Sequence, residues 1–217
     1  MREPSLWEVQ KKNNPGHSRW YIERFEAMRA QGADLDGEAR TIDAMSSRGS
    51  TILDAGCGPG RVGGELQRRG HRVIGIDVDP ELIDQARIDH PEATWLTGDL
   101  ADLDTAMPAE VMGAVDTVVC AGNVMTFLAP STRRAVLEGF KRALTPGGRA
   151  AVGFGAGRGY LFDDFFQDAE DAGLDVDLRL STWELDPWGP DSTFLVALLR
   201  KPEDPAQQPG ARTNLLG

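Results

Sequence analysis

Residues 51–63 read TILDAGCGPGRVG, a short β-branched and apolar run that passes straight into a turn built on Gly56, Gly58 and Gly60. A strand that enters such a turn and leaves it as a helix brings main chain close to a ligand, because residues without Cβ reach conformations closed to the others. The helix expected from Arg61 onward adds unpaired N–H groups and the positive end of its dipole. This is the layout of a nucleotide-type site, and the flanking chain decides which nucleotide.

Strands and helices alternate on the C-terminal side of this stretch. We expect strands at 51–54, 72–77, 93–97, 115–120 and 149–154, with helices at 60–69, 80–89, 131–144 and 160–172. Pro80 stands at the favoured first position of its helix, and Pro91 lies just past the end. Such alternation implies a mostly parallel sheet with helices on both faces. The end of the chain differs. Leu174, Val176, Leu178 and Leu180 alternate with Asp175, Asp177 and Arg179, and only the turn-rich residues 186–191 separate this strand from the apolar run 194–199. With no room for a helix between them, the two strands should be antiparallel. On the N-terminal side, Ser18 is read as the cap of a helix closing near Gly32, followed by a second helix at 37–46. The expected architecture is α/β, a doubly wound and mostly parallel seven-stranded sheet with an antiparallel last strand. Residues 1–49 form a helical cap, 50–200 the ligand-binding domain, and the polar residues 201–217 a flexible tail.

Gly58-Pro59-Gly60-Arg61-Val62-Gly63 satisfies the G-x-G-x-x-G dinucleotide pattern, which says little by itself in a chain with 25 glycines. Asp77, at the tip of the next strand, sits at the spacing of a carboxylate that accepts from ribose hydroxyls. The two features together are far more specific than either.

Five segments then carry a resemblance: ILDAGCGPGRVG, VIGIDVDPELIDQAR, WLTGDLADL, VDTVVCAGNVMTFL and LTPGGRAAVGF. In order and spacing they resemble the class I S-adenosylmethionine-dependent methyltransferases over about residues 50–155, and the closing hairpin resembles that family's reversed seventh strand. The D-x-G-x-G form of the turn (Asp54, Gly56, Gly58) is that family's version. The resemblance implies S-adenosylmethionine as cofactor. Its amino-acid end would lie along Gly56, Cys57 and Gly58, with the Ala55 and Gly56 carbonyls accepting from the ammonium and Asp54 orienting the turn. Asp77 would take the ribose hydroxyls, Val78 would pack on adenine, Asp99 would accept from the adenine amine and the Leu100 N–H would donate to a ring nitrogen. Ala121, Gly122 and Asn123 would pass the methionine portion. The Asn/Asp-Pro-Pro-aromatic motif of enzymes that methylate nucleobase amines is absent after the fourth strand, which disfavours that chemistry.

Composition narrows the partners. The 217 residues, 41% hydrophobic and 26% charged, suffice for one sizeable core. The longest clean apolar run, 194–199, is far too short for a bilayer, and the N-terminal residues lack a secretory h-region, so a cytoplasmic enzyme is expected. A net charge of −11 argues against nucleic acid. Cys57 and Cys120 have neither zinc nor redox spacing, and no metal is expected. The acceptor is therefore expected to be a small molecule.

Methyl transfer from a sulfonium is chiefly a matter of alignment, and a base is needed only where the nucleophile starts protonated. His71 and His90 read as structural. His17 is the candidate base, provided the N-terminal helices fold over the site. Phe127, Arg158, Tyr160, Trp183 and Trp188 are candidate acceptor-pocket residues from the loops at the cofactor's edge of the sheet, joined by Trp20, Tyr21 and Arg24 if the cap covers the cleft. Two other readings compete. One is a cofactor-binding protein without catalysis; the other is a nicotinamide-dependent reductase using Gly58, Gly60 and Gly63.

Overall fold

The computed structural model describes residues 2–203. The tail expected to be flexible lies, from residue 204 on, outside the described residues. Three helices open the chain: α1 (Leu6–Asn13), α2 (His17–Ala30) and α3 (Gly37–Met45). The alternating part follows as β1 (Thr51–Ala55), α4 (Arg61–Arg68), β2 (Arg72–Asp77), α5 (Pro80–Asp89), β3 (Thr94–Thr97), α6 (Leu103–Ala106), β4 (Val115–Cys120), α7 (Val124–Phe127), α8 (Arg133–Ala143), β5 (Leu144–Gly155) and α9 (Phe162–Asp171). It closes with β6 (Asp175–Leu180) and β7 (Phe194–Arg200). The seven strands form one sheet in the order β3-β2-β1-β4-β5-β7-β6, with β7 antiparallel to both its neighbours and the remaining pairs parallel.

Successive residues of β1 face opposite ways, so the sheet needs cover on both sides. Leu53 points into the larger core with Ile74, Val118, Phe140 and Phe154, and Ile52 into a second with Val73, Val119, Leu66 and Ile42. Ile42 belongs to α3, which packs against α4 in the helical layer of the sheet. Helices α1 and α2 lie over the cleft at the strand tips, and the start of α3 reaches its outer wall through Glu38. No helix among the described residues is long and apolar enough to cross a membrane.

Three local differences from the sequence reading have physical causes. Helix α1 is separate and starts on a capping box, in which Ser5 accepts from the Glu8 amide and the Glu8 side chain accepts from the Ser5 amide. Ser18 does not cap α2, which begins at His17; its hydroxyl is buried and spent on Asp79. Strand β5 begins at Leu144, five residues earlier than read, because an irregularity in its pairing with β4 absorbs the Pro146-Gly147-Gly148 turn within the ladder.

Candidate active site

The glycine turn is fixed by its neighbours before any ligand arrives. The Gly56 and Cys57 amides donate to the Ile76 carbonyl at 2.8 and 3.1 Å, tying the turn to β2. Gly56 has φ +75°, and a Cβ there would lie 2.4 Å from a Val124 methyl, so only glycine fits. Buried Asp54 accepts from the Gly63 amide at 2.8 Å, in the first turn of α4. Burial raises this carboxyl to about 7 despite the Gly63 amide and Arg61, which pull the other way. Asp54 thus holds the turn against the helix.

Two further acids stand at the tips of β2 and β3. Asp77 accepts from the Gly58 amide on Oδ2 and from the Asp79 amide on Oδ1, both at 2.9 Å. Burial raises it to about 6, with those two amides opposing the shift. Asp99 Oδ1 accepts from the Ala101 amide at 3.0 Å. Its Oδ2 is buried and meets Arg2 Nε at 2.7 Å in an ion contact that is not aligned as a hydrogen bond. Asp77, Val78, Leu82, Asp99 and Leu100 line one cleft of about 630 Å³, roofed by Ser5 and Trp7. A second space of about 400 Å³ is lined by Asp54, Gly56, Cys57, Gly58 and Ala121. Tyr21 and Gly122 border both, and border as well an outer cleft of about 1130 Å³ under α2.

The roof is anchored at one buried carboxylate. Asp79, 1% exposed, accepts from Trp7 Nε1 at 2.8 Å, Lys11 Nζ at 2.5 Å, Ser18 Oγ at 2.5 Å and the Glu81 amide at 3.0 Å. Burial works to raise this carboxyl, but Lys11, Ser18 and Trp7 outweigh it and hold it below the ordinary carboxylate range. The same residue caps α5, so α1 and α2 are pinned to the strand tip that carries Asp77.

Most of the residues picked from sequence gather here. Asp54, Gly56, Cys57, Gly58, Asp77, Val78, Asp99, Leu100, Ala121 and Gly122 line the two inner spaces; His17, Trp20, Tyr21, Arg24, Asn123, Phe127 and Arg158 line the outer one. Ala55 is fully buried within β1, leaving its carbonyl rather than its side chain to act. The Asn123 side chain is occupied, accepting from the Gly155 amide at 2.8 Å.

Three aromatic candidates are corrected. Tyr160 is 2% exposed, stacks on Phe154 and donates to Asp168 at 2.6 Å, as part of the core. Trp183 packs over Gly153 on the sheet face beside α3, and Trp188 sits against Phe162, Phe166 and Arg179. None of the three lines the spaces described above. Conversely, Trp7, Phe25, Arg61 and Asp79 belong to the site and were missed. The Ser5–Glu8 capping box was the signal for Trp7, and an acid directly before Pro80 was the signal for Asp79.

The residues present fit S-adenosylmethionine. The buried Asp99 Oδ2, which has the Arg2 ion contact but no hydrogen bond, offers an acceptor to the adenine amine. The space beneath Tyr21 is a cradle of backbone: a Cβ on Gly58 would stand 3.6 Å from the Tyr21 ring, and one on Gly122 would stand 3.9 Å from its hydroxyl. Residues 52–148 match the family model described as a methyltransferase domain. A TehB-like S-adenosylmethionine-dependent methyltransferase from Corynebacterium glutamicum, known from its crystal structure, is 47% identical, with 88% of this chain and 100% of that chain covered and a TM-score of 0.81. The chain belongs to the S-adenosylmethionine-dependent methyltransferase family. The magnesium-protoporphyrin O-methyltransferase of Rhodobacter capsulatus is 36% identical over 99 residues, 43% of this chain and 41% of its own length. The ubiquinone biosynthesis O-methyltransferase of Xanthomonas oryzae is 28% identical over 140 residues, 59% of this chain and 57% of its own length. The chain thus spans about half the length of these two methyltransferases.

Proposed function

We propose that this chain transfers a methyl group from S-adenosylmethionine to a small molecule held in the outer cleft beneath α2. The observation that carries the reading is the shared border: Tyr21 and Gly122 bound both the inner spaces and the outer one, so a donor inside and an acceptor outside would meet there. When bound, the cofactor supplies a methyl group already activated by its attachment to a sulfonium.

The chain's residues then bind and align. Asp77 takes both ribose hydroxyls while its amide partners on Gly58 and Asp79 keep the carboxylate aimed. Asp99 accepts from the adenine amine, the Leu100 amide donates to the ring, and Val78 packs on its face. The Ala55 and Gly56 carbonyls receive the ammonium. Fixing both reactants along one line can supply about 7–11 kcal/mol of a barrier. Trp7 and Ser5 exclude water from the adenine side. The Tyr21 phenol is raised above its ordinary value by burial, so it stays protonated at neutral pH and orients rather than abstracts. His17, stacked at 5.4 Å on Trp20 and tilted at 4.7 Å from Trp7, lines the outer cleft and is our candidate to take a proton from the acceptor.

Two measurements test this reading. Calorimetry should show S-adenosylhomocysteine binding that Asp77→Ala abolishes or severely weakens. Incubation with S-adenosylmethionine and a broad metabolite panel, read by mass spectrometry, should yield a product heavier by one methylene. Binding without any product would leave a cofactor-binding protein instead.

A further inference from the structure

The outer cleft carries a charge pattern that methyl transfer alone does not use. Its two acids are already matched. Arg40 holds Asp34 through hydrogen bonds at 2.8 and 2.7 Å, and Arg61 holds Glu38 at 2.8 and 2.5 Å. The remaining arginines on the wall are Arg24 and Arg158. Arg24 projects from α2 with its guanidinium 5.9 Å from the ring centres of Trp20 and Phe25. Arg158 lies on the turn after β5, where a Cβ built on Gly155 would stand 3.4 Å from its Nε. Among the described residues, neither forms an ion pair with a carboxylate, whereas Arg40 and Arg61 both do.

With Asp34 and Glu38 neutralised, this cleft turns a positive face to its contents in a chain whose net charge is −11. Guanidinium groups beside aromatic rings suit planar anions, since arginine grips a carboxylate with a fork of donors and also stacks on flat surfaces. His17, Trp20 and Phe127 supply the flat surfaces. A cationic acceptor would be repelled by the same two arginines, and an aliphatic one would leave the rings without a partner of matching shape.

We propose that the methyl acceptor is a planar aromatic acid, its ring lying among His17, Trp20 and Phe127 and its carboxylate held by Arg24 and Arg158. The proposal rests on the methyl-transfer reading of the site and adds the chemical class of the molecule methylated.

The test is calorimetry on the whole chain saturated with S-adenosylhomocysteine, so that no turnover intrudes. Ortho-, meta- and para-hydroxybenzoate are titrated beside the corresponding hydroxybenzamides, with sodium sulfate as an anion that has no ring. At least one acid should bind about tenfold or more tightly than its amide, because only the acid offers charged acceptors to the guanidinium groups. Arg24→Ala and Arg158→Ala together should bring acid and amide to equal affinity, with S-adenosylhomocysteine affinity retained as the sign of an intact fold. Equal binding of acid and amide in the unmodified chain overturns the proposal, as does no binding by any of the acids, or sulfate binding as tightly as they do. Failure of S-adenosylhomocysteine itself to bind would overturn the reading of the cofactor cleft, and this proposal with it.

Discussion

The indole of Trp7 donates to the carboxylate of Asp79 across 2.8 Å, joining residues 72 positions apart. Lys11 and Ser18 donate to the same carboxylate, so a single acid at the tip of β2 holds both helices that roof the cleft. Removing it strands a partly buried ammonium and three other donors, from Trp7, Ser18 and the Glu81 amide. Asp79→Ala should therefore cost about 3–5 kcal/mol, the range for breaking a buried pair by deleting one partner. Trp7→Phe, which deletes one neutral donor and keeps most of the ring, should cost about 1–2 kcal/mol by comparison. Urea denaturation followed by far-ultraviolet circular dichroism gives both values, and equal losses in the two variants would contradict the anchoring role of Asp79.

Protonation of Asp77 should move stability and cofactor affinity in opposite directions. The carboxyl is raised from 3.8 to about 6 in the folded chain, chiefly by burial. Between those values the folded state binds more protons than the unfolded one, so this group makes stability fall as pH rises through about 4 to 6. Asp54, raised to about 7, acts in the same sense over a wider window. The proposed ribose contact needs the ionised form of Asp77, which is about one-tenth populated at a pH one unit below its pKa. Affinity for S-adenosylhomocysteine should thus drop about tenfold from its plateau on going to pH 5, and Asp77→Asn should flatten that part of the profile at a low level. A pH-independent affinity in the unmodified chain would remove Asp77 from the ribose contact.

Gly56 offers a test of the turn itself. Alanine there is opposed twice, by the left-handed backbone at φ +75° and by a Cβ built 2.4 Å from Val124. The first costs about 1–2 kcal/mol and the second about 1–3 kcal/mol. Val124→Ala relieves only the overlap, so the double variant Gly56→Ala with Val124→Ala should be more stable than the sum of the single losses predicts, yet still short of the parent. Thermal or urea unfolding of the four proteins closes this cycle. Strict additivity would mean that the Val124 contact is not what excludes a side chain.

The same turn explains why so much of the inner site was legible in the chain. A ligand held by main chain demands glycine at fixed steps, and a strand tip proposed to meet ribose demands an acid, so Gly56, Gly58 and Asp77 stand out by type and spacing, and the structure brings them to one site. Asp99 follows the same logic one strand further on. The outer cleft has no such grammar. Tyr160 and Tyr21 are the same residue type near the same sheet edge, but Tyr160 found Asp168 and a stack of phenylalanines, while Tyr21 spans the glycine cradle. Trp183 was drawn onto Gly153 because a glycine in β5 leaves a hollow that an indole fills. Such choices depend on three-dimensional neighbours far away in sequence. The roof was hidden for a related reason: α1 is a short helix whose only local mark is the Ser5–Glu8 box, and what secures it is Asp79.

His17 is the last of these tests, because its place in the cleft separates chemistry from binding. It stacks on Trp20 and borders the outer cleft, and it lines neither inner space. His17→Gln keeps a polar side chain of similar reach but cannot take up a proton. With an acceptor whose nucleophile starts protonated, kcat should fall by about 10²–10⁴, the usual contribution of a positioned base. S-adenosylhomocysteine affinity should stay within about twofold, since a group acting only in the transition state lowers kcat and kcat/KM together without touching ground-state binding of the cofactor. Stopped-flow single turnover isolates the chemical step from product release. An unchanged single-turnover rate would dismiss His17 as a base, and a matching loss of cofactor affinity would show that it supports the roof instead.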